Sequence, residues 1–232
     1  MSEIIFTNVK KWKIKKEYFP SVAYNNIPEW YKKISPYIDL NDKKQVTNST
    51  VKKCIPFFDA MTSGYLIYLP SRLYVYRMND GTPVFEPEDV ELKLNLIDYH
   101  TSSQVGQYIE KENTVIPKIL NPWSIKTDPG YSCFILNPLH RKSPISIMEG
   151  IVDTDTSTSN INFPFTIPED FEGNIEEGTP IAQIIPFKRE KYVMKIGDEK
   201  EIEEAMTCAR EVVNIEKINV YKDLFWSRKE YK

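Results

Sequence analysis

Gly150-Ile151-Val152-Asp153-Thr154-Asp155 and Gly178-Thr179-Pro180-Ile181-Ala182-Gln183-Ile184-Ile185-Pro186-Phe187 are the two segments that decide how this chain is read. The first is a short apolar run that ends in a turn bearing two acids. The second is a turn glycine feeding an apolar strand that carries one side-chain amide. Between them lies the strand-like Ile161-Asn162-Phe163. Strands average about 5–6 residues, so the interval holds roughly two strands and a hairpin.

Working outward, residues 51–138 carry the same short, strand-like pattern. Tyr65-Leu66-Ile67-Tyr68-Leu69 and Leu73-Tyr74-Val75-Tyr76 are bounded by Pro70 and by the turn signal Asn79-Asp80-Gly81. Glu91-Leu92-Lys93-Leu94-Asn95-Leu96 alternates leucine with polar residues and predicts a strand with one wet face. Ile116-Pro117-Lys118-Ile119-Leu120 and Tyr131-Ser132-Cys133-Phe134-Ile135-Leu136 continue the series, the latter entered through the turn Asp128-Pro129-Gly130.

The two ends differ. Residues 1–50 read as an irregular basic arm. Within it Trp12 and Ile14 could seat a strand, residues 27–34 a short helix with Pro28 in its first turn, and residues 41–50 a polar loop. After Gly197-Asp198 the period changes: Ile202, Met206, Ala209 and Val213 recur every three or four residues, which predicts an amphipathic helix over 198–217 capped by Asp198. Tyr221, Leu224, Phe225 and Trp226 form an aromatic knot that either docks on its own domain or anchors a partner. The expected organisation is one domain over 1–232: an arm (1–50), a β body (51–190), and a helix with aromatic tail (191–232).

Composition agrees with a mainly β chain. Of 232 residues 41% are hydrophobic, enough for a core, with sixteen Pro, fourteen Tyr and eleven Phe against eight Gly. No apolar run approaches the roughly 20 residues of a membrane span, and residues 10–16 are lysine-rich rather than a secretory leader. A cytoplasmic, non-membrane protein is expected. The three cysteines, Cys54, Cys133 and Cys208, form no close pair, so buried free thiols are expected rather than zinc. The net charge of −3 is uneven: the first 60 residues carry eleven Lys against six acids, net +5, leaving −8 elsewhere. Such a basic part suits phosphate or an acidic subunit face; nucleic acid is not the favoured partner.

The segments quoted first resemble two signatures of the dUTPase and dCTP deaminase barrel family, over residues of about 128–190. The resemblance implies a dUTPase-like antiparallel β-barrel, with a jelly-roll sandwich as the alternative. By resemblance Asp153 falls where the family places the carboxylate that deprotonates the attacking water, a task a carboxylate suits. Arg141-Lys142-Ser143 stands nearest the family's phosphate-holding Arg-Ser pair, and Gln183 matches the glutamine of the apolar strand. The departures are equally specific: Thr156 and Thr158 where an aromatic residue stacks on the sugar, Pro180 where arginine is usual, and a charged helix where a Gly-rich segment closes over the nucleotide. No glutamate lies in residues 161–165 for deaminase chemistry.

The favoured expectation is therefore a viral nucleotide- or small-ligand-binding protein on a catalytically degenerate barrel. Arg141, Lys142, Ser143 and Gln183 would meet phosphate, and Asp153 or Asp155 a sugar hydroxyl or Mg²⁺. Asp153 would be the catalytic base if the chain is an enzyme. The family's assembly implies a homo-oligomer, a trimer. The alternatives are a viral structural or assembly protein, and a dUTP or dCTP hydrolase. On the bland reading Asp153 and Asp155 only cap a turn, Arg141 pairs with one of them, and a neighbour satisfies Gln183. A second resemblance, carried by residues 54–67 and by Pro122-Trp123-Ser124-Ile125-Lys126-Thr127, is to a family found in phages and some bacteria. It implies a viral context and no mechanism.

Overall fold

In chain order the strands are β1 Ile4–Asn8, β2 Ser21–Val22, β3 Tyr65–Tyr68, β4 Leu73–Arg77, β5 Pro83–Pro87, β6 Ile97–His100 and β7 Ile116–Ile119. They continue as β8 Trp123–Thr127, β9 Tyr131–Leu136, β10 Ser146–Ile147, β11 Gly150–Val152, β12 Phe163–Thr166, β13 Gly173–Ile175 and β14 Pro180–Lys188. Helices are α1 Glu29–Lys33, α2 Ile55–Thr62 and α3 Glu199–Asn214. The computed structural model describes residues 2–38, 49–93, 95–104, 115–157, 159–214 and 221–232. Outside them fall most of the expected 41–50 loop, Leu94, Thr158 and the expected last helical turn at 215–217.

Among the described residues the fold is mainly antiparallel β, in four sheets that do not join into one closed barrel: β1-β8, β10-β12-β7-β6, β11-β9-β14-β3-β2 and β13-β4-β5. The five-stranded sheet is the spine. Its longest pairing runs Gln183↔Leu136 to Lys188↔Tyr131, and β3 flanks the other edge of β14. Strand alternation decides its faces. Cys133 and Ile135, with Ile184 and Ile67, turn into the main core with Trp123, Phe163 and Phe165. Phe134 and Gln183 turn the opposite way, onto the face that α2 partly covers. No helix of the described residues is long and apolar enough to cross a membrane.

Three expectations change. Residues 91–93, 95 and 96 lie in turns rather than a strand: Asp89 Oδ1 accepts from the Glu91 amide at 2.8 Å, and the Leu96 amide donates to the Leu92 carbonyl at 3.0 Å. Leu92 and Leu96 are both buried, and the Leu96 carbonyl accepts from the Leu120 amide at 2.8 Å where the β6–β7 pairing begins. The N-terminal strand is Ile4–Asn8, paired with β8, whereas Trp12 and Ile14 pack half-buried on the core from a loop. Helix is not confined to the ends, because α2 stands at the head of the β body. Its signal was legible: Pro56 in the first turn, where no N–H partner is lost, and Gly64 just past the end at φ +69°. There a Cβ would lie 2.0 Å from the Ile184 carbonyl oxygen, so glycine lets the chain leave α2 flat against β14.

The expected C-terminal helix is present as α3, opened by a reciprocal cap. The Lys200 amide donates to Asp198 Oδ1 at 2.9 Å and the Asp198 amide to Glu201 Oε2 at 3.0 Å. Of the thiols, Cys133 is buried as expected, but Cys54 and Cys208 are exposed.

Candidate functional site

The acidic turn is built by strand pairing. β11 lies against β9 with Val152 opposite Cys133, which delivers Asp153, Thr154 and Asp155 beside the turn at Gly130. Thr154 points inward and is fully buried, its hydroxyl 2.7 Å from that of Thr127. Asp153 and Asp155 leave Thr154 on the other face of the turn, where both meet Arg189, Asp153 exposed and Asp155 nearly covered. Asp155 accepts from the Gly130 amide at 2.8 Å and from both terminal nitrogens of Arg189, one at 2.9 Å. The same guanidinium reaches Asp153 at 3.3 Å, the Tyr131 carbonyl and the Ser132 hydroxyl, while Ser132 also donates to Asp153 at 2.6 Å.

These contacts fix the chemistry of the turn. The Arg189 hydrogen bonds first, then the Gly130 amide, hold the Asp155 carboxyl down to about 2. A carboxylate so stabilised is a feeble base. Its side chain is 6% exposed, whereas Asp153 is 62% exposed. The pair does not fit Mg²⁺, which takes hard oxygen ligands: the Arg189 cation already occupies the space between the two carboxylates. No cluster of three or more His, Cys, Asp or Glu side chains among the described residues is placed to hold a metal. Sequence reasoning missed Arg189; its one signal was a cation at the charged end of an apolar strand.

Arg141 and Gln183 stand at the other end of β9, roughly 17 Å of strand away. The Arg141 fork donates to four carbonyls: Met61 at 2.8 Å, Asn26 at 3.0 Å, Leu139 at 3.2 Å and Ala23 at 3.3 Å. Burial pushes its pKa down. Gln183, fully buried, accepts from the Leu139 amide at 2.9 Å and donates to Ala60 and Ser63 at 2.9 and 2.7 Å. Lys142 is exposed, and Ser143 Oγ accepts from the Ile145 amide at 3.1 Å. The structure thus gathers Asp153 with Asp155 on Arg189, and Arg141 with Gln183 against α2. It does not bring the two groups to one cleft, and Arg141 pairs with neither acid.

An open concavity lies where the C-terminal tail crosses α2. A cavity of about 430 Å³ is walled on one side by Tyr24, Phe58, Thr62 and Ser63 and on the other by Lys222, Trp226, Arg228 and Tyr231. Tyr24 meets Phe58 edge-on with ring centroids 6.0 Å apart. Asp59, at the floor, accepts from Trp226 Nε1 at 2.8 Å and from Lys229 Nζ at 2.7 Å. The hydrogen bond to Asp59 raises the Lys229 pKa. Farther along, the Tyr231 and Tyr65 rings meet edge-on, and the Tyr65 hydroxyl donates to the Lys232 carbonyl at 3.3 Å. Part of the expected aromatic knot therefore docks on its own chain through Trp226, while Tyr221, Leu224 and Phe225 remain exposed. Four cations (Lys222, Arg228, Lys229 and Lys232) face two carboxylates, Asp59 and Glu230.

No family model matches the chain, and no curated protein matches it. Among solved structures it is similar to an Asp-to-Asn mutant dUTPase from phage phi11 of S. aureus, whose structure reveals the coordination of a structural Mg(II) ion. The TM-score is 0.32 and the identity 11%, over 86% of this chain and 99% of that one. It is also similar to a Gly-to-Ser mutant of the Staphylococcus bacteriophage 80alpha dUTPase with dUpNHpp, at TM-score 0.33 and 11% identity, over 85% and 89%. At this level the likeness gives no residue correspondence and no role.

Proposed function

We propose that the chain binds a nucleotide or another phosphate-bearing small molecule, without turning it over, in the cleft between α2 and the C-terminal tail. The observation that carries this reading is the composition of the cleft: aromatic walls and an excess of cations around about 430 Å³. That volume falls within the roughly 300–1,000 Å³ of small-molecule sites. Aromatic rings offer faces and edges to a planar base, and lysine and arginine offer charge-assisted hydrogen bonds to phosphate oxygens. Hydrolysis is not part of the reading, because Arg189 holds the Asp155 carboxylate as a weak base and no residue of the acidic turn lines this cleft. Mg²⁺ enters only as the counter-ion a phosphate brings with it. We place the protein in the cytoplasm of a virus-infected host.

A thermal-shift screen of nucleotides and cyclic dinucleotides, with and without Mg²⁺, tests this reading. Ligand at 100 Kd stabilises the fold by about 2.7 kcal/mol, and Trp226→Ala should abolish that shift. No shift with any of them at millimolar concentration would remove the reading.

One observation favours a second reading, assembly with further copies of the chain. The extended Tyr192, Val193, Met194 and Ile196 are almost wholly exposed, Ile196 by 92%, and lead into α3, whose Ile202 and Met206 are exposed too. Light scattering well above 27.1 kDa supports self-association, and a trimer gives three times that mass. A monomer at tens of micromolar overturns it.

A further inference from the structure

The C-terminal tail reaches the β body through two anchors among the described contacts. At Asp59 a single carboxylate oxygen takes both Trp226 Nε1 and Lys229 Nζ. At Tyr65 the tail adds a ring contact and one long hydrogen bond. Asp59 is an anion seated on the floor of a cleft otherwise rich in cations, with its side chain 15% exposed. It therefore already occupies, from within the chain, the kind of position that a ligand phosphate would take against Lys229.

We propose that the cleft takes a nucleoside monophosphate whose phosphate exchanges with the Asp59 carboxylate for Lys229, so that Asp59 is the latch of the empty cleft. The proposal rests on the ligand reading above and adds the ligand class and the means of entry. The volume, near the lower end of the range for small-molecule sites, suits one base and one phosphate better than a dinucleotide. Tyr24, Phe58 and Trp226 supply the surface for the base. Among the described contacts Lys229 is tethered by its own flexible stem and by Asp59, and its ammonium can turn to a phosphate oxygen as readily as to a carboxylate oxygen. In the empty state Asp59 repels an incoming anion and holds the tail wall down. In the filled state the ligand takes Lys229, and Trp226 keeps the one remaining bond to Asp59. No covalent step is involved.

The test compares the full-length chain with Asp59→Asn in titrations of adenosine monophosphate, inorganic phosphate and adenosine. It adds hydrogen exchange of the 221–232 peptide without ligand. The carboxamide that replaces the Asp59 carboxylate still accepts from Trp226 but no longer neutralises Lys229 or repels phosphate. The expected result is an affinity for adenosine monophosphate and for phosphate about tenfold higher in the variant, the scale of one charge-assisted contact. Adenosine should be unchanged, and exchange in the tail faster. If the variant binds adenosine monophosphate equally or more weakly while its tail exchanges faster, the exchange mechanism is overturned and the ligand reading stands. If the gain extends equally to adenosine, phosphate is not the group that competes with Asp59, and the mechanism again fails. If neither chain binds adenosine monophosphate or phosphate, the ligand reading falls and the exchange with it, whatever the tail does.

Discussion

Arg141→Ala gives the sharpest measure of what that residue does. Among the described residues its guanidinium binds no carboxylate; it ties η-nitrogens to carbonyls of α2, of the 23–26 segment and of its own loop. A hydrogen bond to a charged group contributes about 1.5–3 kcal/mol. Counting only the two shortest, to Met61 and Asn26, gives about 3–6 kcal/mol. Burial of the cation, visible in its lowered pKa, offsets part of this, so about 3–4 kcal/mol is expected. For a chain of this length each kcal/mol moves Tm by about 2–4 °C, so the melting point should fall by about 10 °C. Urea unfolding should show a lower midpoint at unchanged slope. Arg141→Lys should recover less than half, since one ammonium cannot reproduce a fork that meets four acceptors. A loss of less than about 1 kcal/mol, or full rescue by lysine, would refute the clamp. Loss of phosphate affinity at unchanged stability would instead put Arg141 at a ligand, as the motif reading expects.

Three further outcomes follow from the same geometry. Gly64→Ala should cost about 2–4 kcal/mol in urea unfolding, because the new Cβ meets the Ile184 carbonyl at a positive φ; a neutral result would show that α2 can lift from β14. The Asp155 pKa is lowered to about 2 from 3.8, so its contribution is complete above pH 4 and is lost as pH falls from about 4 to about 2. Melting temperatures across that window should fall more steeply in the native chain than in Asp155→Asn, and Asp153→Asn should disturb stability less than Asp155→Asn does. A thiol reagent should modify Cys54 and Cys208 quickly in the native protein and Cys133 only after unfolding; rapid reaction of all three would contradict the packing of Cys133 behind β14.

The strands were legible wherever local pattern and tertiary need coincide. Tyr131–Leu136 and Gly150–Val152 appear with the bounds their apolar runs suggest, and Gly81 and Gly130 take the positive φ that their turn signals imply. The alternating leucines of 91–96 misled because a period of two and a single helical turn both bury Leu92 and Leu96, and the Asp89 cap chose the turn. The site was harder to read for a different physical reason. Sequence supplies residue types and spacing, and these marked Asp153, Asp155, Arg141 and Gln183 as chemically capable. Whether a carboxylate is free or neutralised depends on a partner distant along the chain: Arg189 is 34 residues from Asp155. Gln183 reaches Ala60 across 123 residues and Trp226 reaches Asp59 across 167. Those pairings follow from sheet order and from the way α2 and the tail fold over the sheet. The sequence by itself determined a β body with a terminal helix, through periodicity and turn chemistry. Only the tertiary structure decided which polar groups are already satisfied within the chain and which line an open cleft, because the competition for each donor and acceptor is settled between segments that no local spacing connects.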